Sequence, residues 1–218
     1  MTKPKLASLA LAAALSLGAC VASADTTLIN EGFDNVSALT ANGWMLLNRS
    51  SPLGSVDTWY QGQDYIFPAM SGASTSYAAS NYNAGTTGGS IADWLITPTF
   101  STRDSGQVSF WIRSDVQANY TDYFSYGLSA GGTATSDFTL NTASVVAGDW
   151  TQVTMSFAGT GSNTMGRLAI VHVGLADIAN YVGVDNVVVT AVPEMPSSAL
   201  AAAGLLTLAL LRRRISSR

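Results

Sequence analysis

No stretch between Asp25 and Val192 holds a helical period, and this constrains the fold more than any other feature of the chain. Apolar residues recur instead at every second position, in short runs set between clusters of Gly, Ser, Asn and Thr. Val108, Phe110 and Ile112 alternate with Gln107, Ser109, Trp111 and Arg113, and Thr151, Val153, Met155 and Phe157 alternate with Gln152, Thr154 and Ser156. A period of two places one row of side chains on a buried face and the other on the opposite face. Short strands at regular spacing with turn residues between them predict an all-β sandwich. The expected strands are Thr26 to Phe33, Trp44 to Asn48, Thr58 to Gln61, Ser76 to Ala79, Asp93 to Thr97, Gln107 to Arg113, Asp122 to Ser129, Trp150 to Phe157, Arg167 to Gly174 and Tyr181 to Thr190. Asp93 to Thr97 is expected to be central, since Leu95 lies opposite Trp94 and Ile96 and all three are apolar; Pro98, with no N–H, ends its pairing.

Both ends differ from this middle. Lys3 and Lys5 precede an apolar stretch from Leu6 to Leu17, and Ala22-Ser23-Ala24 offers the small residues at which signal peptidase cuts, so residues 1–24 read as a secretory signal peptide helix. Leu17-Gly18-Ala19-Cys20 also has the shape of a bacterial lipobox, in which Cys20 would be acylated. Cleavage after Ala24 is preferred, because a lipid there would duplicate the anchor at the other end. Residues 192–218 run from the Pro-broken Pro193-Glu194-Met195-Pro196 through the uncharged Ser197–Leu211 to Arg212, Arg213 and Arg214. That order reads as spacer, short transmembrane helix and positive stop, with the arginines left on the cytoplasmic side. Fifteen residues from Ser197 to Leu211 fall short of the ~20 that span a bilayer. The segment is therefore expected to hold the chain transiently; an ordinary tail anchor is the other reading.

One domain, residues 25–191, remains between the two segments. Arg49, Arg103, Arg113 and Arg167 are its only cations, set against twelve Asp and Glu31, and it has no lysine. Such a balance excludes nucleic acid and anionic lipid surfaces as partners. Cys20 is the only cysteine, so the domain has no disulfide and no thiol chemistry.

Two resemblances add to this reading. Leu28-Ile29-Asn30-Glu31-Gly32-Phe33-Asp34, Gly43-Trp44, Trp59-Tyr60-Gln61-Gly62, Ser90-Ile91-Ala92-Asp93-Trp94-Leu95-Ile96-Thr97-Pro98 and Val184-Asp185-Asn186-Val187, in that order, resemble the choice-of-anchor J domain, which is akin to the cleaved adhesin modules of bacterial surface proteases and more distantly to MAM domains. The resemblance implies a jelly-roll β-sandwich. The C-terminal layout of Pro193, Glu194 and Pro196, apolar helix and Arg212 to Arg214 resembles the PEP-CTERM sorting signal of Gram-negative bacteria, with Met195 where the family has its second proline. That likeness implies cleavage by an exosortase, a secreted or cell-surface destination, and association with exopolysaccharide or biofilm.

Two kinds of site are expected. Glu31 and Asp34 near the end of the first strand and Asp185 in the last would be brought together if the terminal strands are neighbours, and hard oxygen ligands of this type suit a structural calcium; the resemblance to adhesin modules points the same way. Alternatively Asp185-Asn186 forms a turn and Glu31 bonds a loop backbone. Trp59, Tyr60, Tyr65 and Tyr82, on the long loops between Asn48 and Ile91, would stack on sugar rings if they share an exposed face, making the domain a carbohydrate-binding module. If they pin the loops to the sheets, a non-catalytic adhesive or structural module remains. A glycan-active enzyme needs two positioned carboxylates, yet Glu31 is the only glutamate of the domain and no Glu-x-Asp pair occurs. No catalytic residue is proposed; His172, the only histidine, sits in an apolar strand and is expected to be satisfied by its neighbours.

Overall fold

The structure, a computed structural model, describes residues 25–192. Fourteen strands form two antiparallel sheets. In chain order they are β1 (Thr26–Glu31), β2 (Met45–Asn48), β3 (Ser51–Leu53), β4 (Tyr60–Gln61), β5 (Ala78–Asn81), β6 (Gly85–Ile96), β7 (Phe100–Ser101), β8 (Gly106–Ser114), β9 (Tyr123–Ser129), β10 (Thr139–Leu140), β11 (Ser144–Val145), β12 (Thr151–Phe157), β13 (Met165–Leu175) and β14 (Tyr181–Ala191). The first sheet runs β12-β8-β14-β5-β4, with β1 also on β14; the second runs β10-β9-β13-β6-β2, with β11 on β9, β3 on β6 and β7 on β13. The all-β sandwich expected from the period-two pattern is present. The strands missed were β3, β7, β10 and β11, too short to show a period, and the Gly-rich first half of β6, whose Gly85-Thr86-Thr87-Gly88-Gly89 reads locally as a loop.

The core lies between the sheets. Val108, Phe110 and Ile112 of β8, Val182, Val184, Val187 and Val189 of β14, Leu95 of β6, and Leu168 and Ile170 of β13 meet there with Phe33, Leu39, Trp44 and Trp59. Strict alternation along β14 would turn Val187 and Val189 outward. An extra residue resets the phase: Asp185 pairs with Trp111 but Val188 with Ser109, and Asn186 takes φ 48. Such a bulge costs a ladder bond and re-aims the side chains around it. It falls where β14 changes neighbours, pairing with β5 through Tyr181–Val184 and with β1 through Val187–Ala191.

Apolar clusters also form on both outer faces. On the second sheet, Trp94, Ile96, Ala169 and Val171 are buried with Phe138, whose ring lies 5.8 Å from that of Trp94. Period two told that both rows of Asp93 to Thr97 were enclosed but not which row faced inward: Asp93 and Leu95 do, and Trp94 and Ile96 face out. On the first sheet, the excursion between β4 and β5 folds back over β14. Phe67 stacks on Tyr77 at 5.1 Å and meets Trp150 and Tyr181 edge-on at 5.6 and 5.4 Å, with the Arg113 guanidinium 4.5 Å above the Phe67 ring. Gly183 makes this possible, since a Cβ there would stand 2.7 Å from Tyr77 Cδ2 and 2.9 Å from Phe67 Cε2.

Gly183→Ala is therefore expected to lift this aromatic cover, destabilising the domain by about 1–3 kcal/mol. A fall in the urea midpoint with an unchanged m-value checks it; an unchanged midpoint would show that the cover can shift without cost.

Candidate functional site

Alternation along β14 places Asp185, just before the bulge, on the outer face of the first sheet, where the 69–72 segment covers it completely. Burial pushes its carboxyl above the usual range, and three backbone donors offset part of that penalty: the N–H of Met70 and Ser71 reach Oδ2 at 2.9 and 3.1 Å, and that of Asn186 reaches Oδ1 at 2.6 Å. The charge on Asp34 lies close enough to push in the same direction as burial. Asp34 itself accepts from Ser76 Oγ at 2.7 Å, and Ser71 and Asn186 join side chains at 2.9 Å.

Asp34 and Asp185 lie near each other, and β1 and β14 are neighbours with Glu31 opposite Val187, but Glu31 does not join the other two in one group. Glu31 turns its Oε1 back to the N–H of Phe33 at 2.7 Å. Among the described residues no three His, Cys, Asp or Glu side chains are grouped to hold a metal ion, so the three acids do not make a ligand set on their own. Oxygen donors beside them are Asn186 Oδ1 and the hydroxyls of Ser71 and Ser76. In chemistry these suit a hard cation, although the N–H groups aimed at Asp185 already supply part of the same compensation.

The four aromatics chosen from the sequence do not share a face. Trp59 is 3% exposed in the core between the sheets and has no ring face to offer, which corrects its assignment as a stacking residue. Tyr60 is half-buried against Tyr181, and its Oη accepts from Asn81 Nδ2 at 2.6 Å; burial drives the phenol above its ordinary pKa. Tyr65 is 79% exposed on the excursion over β14 and bonds Gln63, and Tyr82 is 45% exposed between β5 and β6. The rings of the 62–77 excursion that are buried, Phe67 and Tyr77, are pinned to the sheet rather than presented.

A polar chain crosses the interior between the sheets. Ser80 Oγ of β5 donates to Asp93 Oδ2 of β6 at 2.7 Å and lies 3.1 Å from His172 Nδ1 of β13, while His172 Nε2 lies 3.2 Å from Asp122 Oδ1. Thr58 Oγ1 donates to Asp93 Oδ1 at 3.1 Å, and Asp122 accepts the N–H of Asn180 and Tyr181 at 2.7 and 3.3 Å. Ser80, Asp93 and His172 are fully buried, so this Ser-His-Asp series is closed to a substrate and works as a cross-brace. His172 is satisfied by its neighbours, as expected from its apolar strand. The network was not visible in the sequence, because its members lie far apart along the chain.

That brace sits beneath one end of the sandwich, where the loops are tied together. Tyr82 N–H bonds Asn180 O at 2.9 Å, Thr121 N–H bonds Ile178 O at 2.6 Å, Val56 N–H bonds Asn83 O at 3.1 Å and Gly88 N–H bonds Asp177 Oδ1 at 2.9 Å. Tyr82, Tyr120, Val116 and Ile178 are exposed on these loops, and Leu53 and Leu175 at the strand ends that lead into them. Beside Tyr82 lies a groove of about 250 Å³ whose walls include Ser55, Asn83, Thr86, Thr87 and Asp177. A second groove of about 240 Å³ on the other side of Gly54 is lined by Asn48, Arg49, Leu53 and Asp57 among others.

No family model and no curated protein matches this chain. Among solved structures it is similar to the K1 and K3 cleaved adhesin domains of Lys-gingipain from Porphyromonas gingivalis W83. The K1 domain is 21% identical with a TM-score of 0.56, the match covering 76% of this chain and 98% of that one. The K3 domain is 19% identical with a TM-score of 0.54, over 77% and 99%. The K2 domain of Lys-gingipain gives 19% and 0.52, over 76% and 99%. At these identities the likeness defines the fold, an adhesin-like β-sandwich.

Burial of Asp93, opposed in part by the Ser80 and Thr58 hydroxyls and His172, pushes its carboxyl up to about 6. A carboxyl whose folded pKa lies above its unfolded value stabilises most at low pH, and that contribution is lost as pH rises through the folded pKa. Stability is thus expected to fall from pH 5 to pH 7 by about 1 kcal/mol through this group. Urea midpoints at pH 5, 6 and 7 for the wild type and Asp93→Asn measure it, and equal slopes for the two proteins would assign the proton elsewhere.

Proposed function

We propose that this chain is an exported, non-catalytic adhesive module whose contact surface is the tied loop end of the sandwich. One observation carries the reading: the interior carboxylates and histidine are sealed, whereas exposed Tyr82, Tyr120, Val116, Ile178 and Leu175 gather on or beside loops fastened to one another and braced from below. Apolar and aromatic side chains on a rigid support lose little conformational freedom on contact, which is what an adhesive surface needs. The adhesin-like fold supports this class.

A carbohydrate partner is the second reading, and the groove beside Tyr82 favours it. An exposed phenol face next to Ser55, Asn83, Thr86, Thr87 and Asp177 provides a stacking platform and hydroxyl, amide and carboxylate partners for a neutral sugar. Tyr82 stays from the set chosen by sequence, with Tyr120 added. On this reading Tyr82→Ala weakens binding to a responsive glycan at least ~10-fold, about 1.4 kcal/mol. A glycan array probed with wild type and Tyr82→Ala decides it; no binding anywhere removes the carbohydrate reading and leaves adhesion to protein or matrix surfaces.

Export and sorting are part of the proposal. The signal peptide with its cut at Ala22 to Ala24, Cys20, and the sorting motif Pro193, Glu194, Pro196 and Arg212 to Arg214 lie outside the described residues, and no helix among those described is long and apolar enough to cross a membrane. We take residues 1–24 to be removed by signal peptidase and residues 192–218 to hold the domain briefly at the inner membrane of a Gram-negative cell until an exosortase cuts there. The mature mass in each cell fraction tests this; a full-length 218-residue chain in the cytosol would overturn it.

Calcium at the Asp34–Asp185 corner, with Glu31 alongside, is proposed as a structural ion. Support comes from two like charges near each other, whose repulsion a dication would relieve. A melting temperature several degrees higher in calcium than in chelator is expected, with the difference lost in Asp34→Asn. Equal melting temperatures would remove the ion.

A further inference from the structure

One edge of the molecule leaves its backbone open. β12 pairs with β8 along its whole length, from Thr151 opposite Ile112 to Phe157 opposite Gly106, and among the described residues no strand lies on its other side. The remaining edges are short or interrupted. β4, β10 and β11 have two residues each, β2 and β3 have four and three, and β3 contains Pro52. β1 is irregular between Thr27 and Ile29 and ends on Glu31. Edge strands are ordinarily protected by lysine, proline, a bulge or brevity. β12 is seven residues long, regular and uncharged, with Gln152, Thr154 and Ser156 exposed and Val153, Met155 and Phe157 half-buried.

We propose that β12 is a self-pairing edge: two copies of this chain join antiparallel about Thr154, and their six-stranded sheets become one continuous sheet of twelve. The absence of any charge on the strand, with its alternating order, suits a second copy as the occupant. Residues directly opposite in an antiparallel pair point to the same face. With Thr154 on the axis, Val153 meets the partner's Met155, Gln152 meets the partner's Ser156 and Thr151 meets the partner's Phe157. In the row beside the core Val153 meets Met155, with Thr151 and Phe157 at its ends, the hydroxyl and amide row meets its like, and no charges are opposed. A two-fold interface requires this self-complementarity. The outward N–H and C=O groups of both strands then find partners, which is how an exposed edge recruits another strand.

A pair of seven-residue strands buries less than the ~1,200 Å² of a stable interface, so the dimer is weak. The test uses the full chain in mild detergent with Cys20→Ser, which removes the only native cysteine. Thr154→Cys is expected to be joined to its twin by a short bis-maleimide. Thr151→Cys is not, since its twin lies six residues along the ladder, roughly 20 Å away. Sedimentation equilibrium of the wild type should show association that Thr154→Lys, an exposed substitution, weakens at least ~10-fold. Equal cross-linking at positions 151 and 154, association undiminished by Thr154→Lys, or a wild type that stays monomeric to ~1 mM would each overturn the proposal.

Discussion

A carboxylate removed from water must be compensated, and the compensation of Asp185 orders one whole side of this molecule. Its oxygens take the N–H groups of Met70, Ser71 and Asn186, so the turn at 69–72 is fixed to the central strand of the first sheet. Removing a buried hydrogen-bonded charge from such donors leaves them unpaired, which costs more than the net value of the bonds. With that turn in place the excursion from Gly62 to Tyr77 can lie flat on β14, and Phe67, Tyr77, Tyr181 and Trp150 form one aromatic cover over Gly183. Alternation leaves Asp185 facing out under the turn, and the extra residue at Asn186 then returns Val187 and Val189 to the core.

The inner brace complements the outer one. Apolar packing alone lets two sheets slide, because contacts between branched aliphatics are not directional. Ser80 from one sheet and Asp93 and His172 from the other are joined by bonds that hold only at one relative position. Asp122 carries the series to Asn180 and Tyr181, so the loop end inherits its rigidity from the interior. Buried polar networks stabilise little once desolvation is counted and specify a geometry instead. A contact surface built on loops depends on that specification, since mobile loops would have to be ordered by each partner they met.

Much of the fold was legible. Alternation located the main strands because burial on one face demands it, and the spread of aromatics through residues 48–91 marked the segment that wraps the sheet. The site was less so. Trp59 reads as a loop aromatic because its neighbours include Gly, Ser and Asp, yet it enters the same core cluster as Val36 and Leu95. Tyr82 and Tyr65 carry no local sign that separates them from Tyr60 or Tyr77, because exposure is decided by what folds over a ring. Leu175, Ile178, Tyr120 and Val116 looked unconnected until the loops at that end were tied together.

By itself the sequence determined a β-sandwich without cysteine or lysine, with Glu31, Asp34 and Asp185 on or just beyond its terminal strands, since period, composition and charge are properties of the chain read in order. Tertiary structure alone decided that β14 shifts phase at Asn186, that Asp93 and His172 of the second sheet turn inward to meet Ser80 of the first, and which edge stays open. The physical reason is that a two-residue period says two rows exist but not which is inside, and hydrogen bonds between residues a hundred positions apart leave no trace in either neighbourhood.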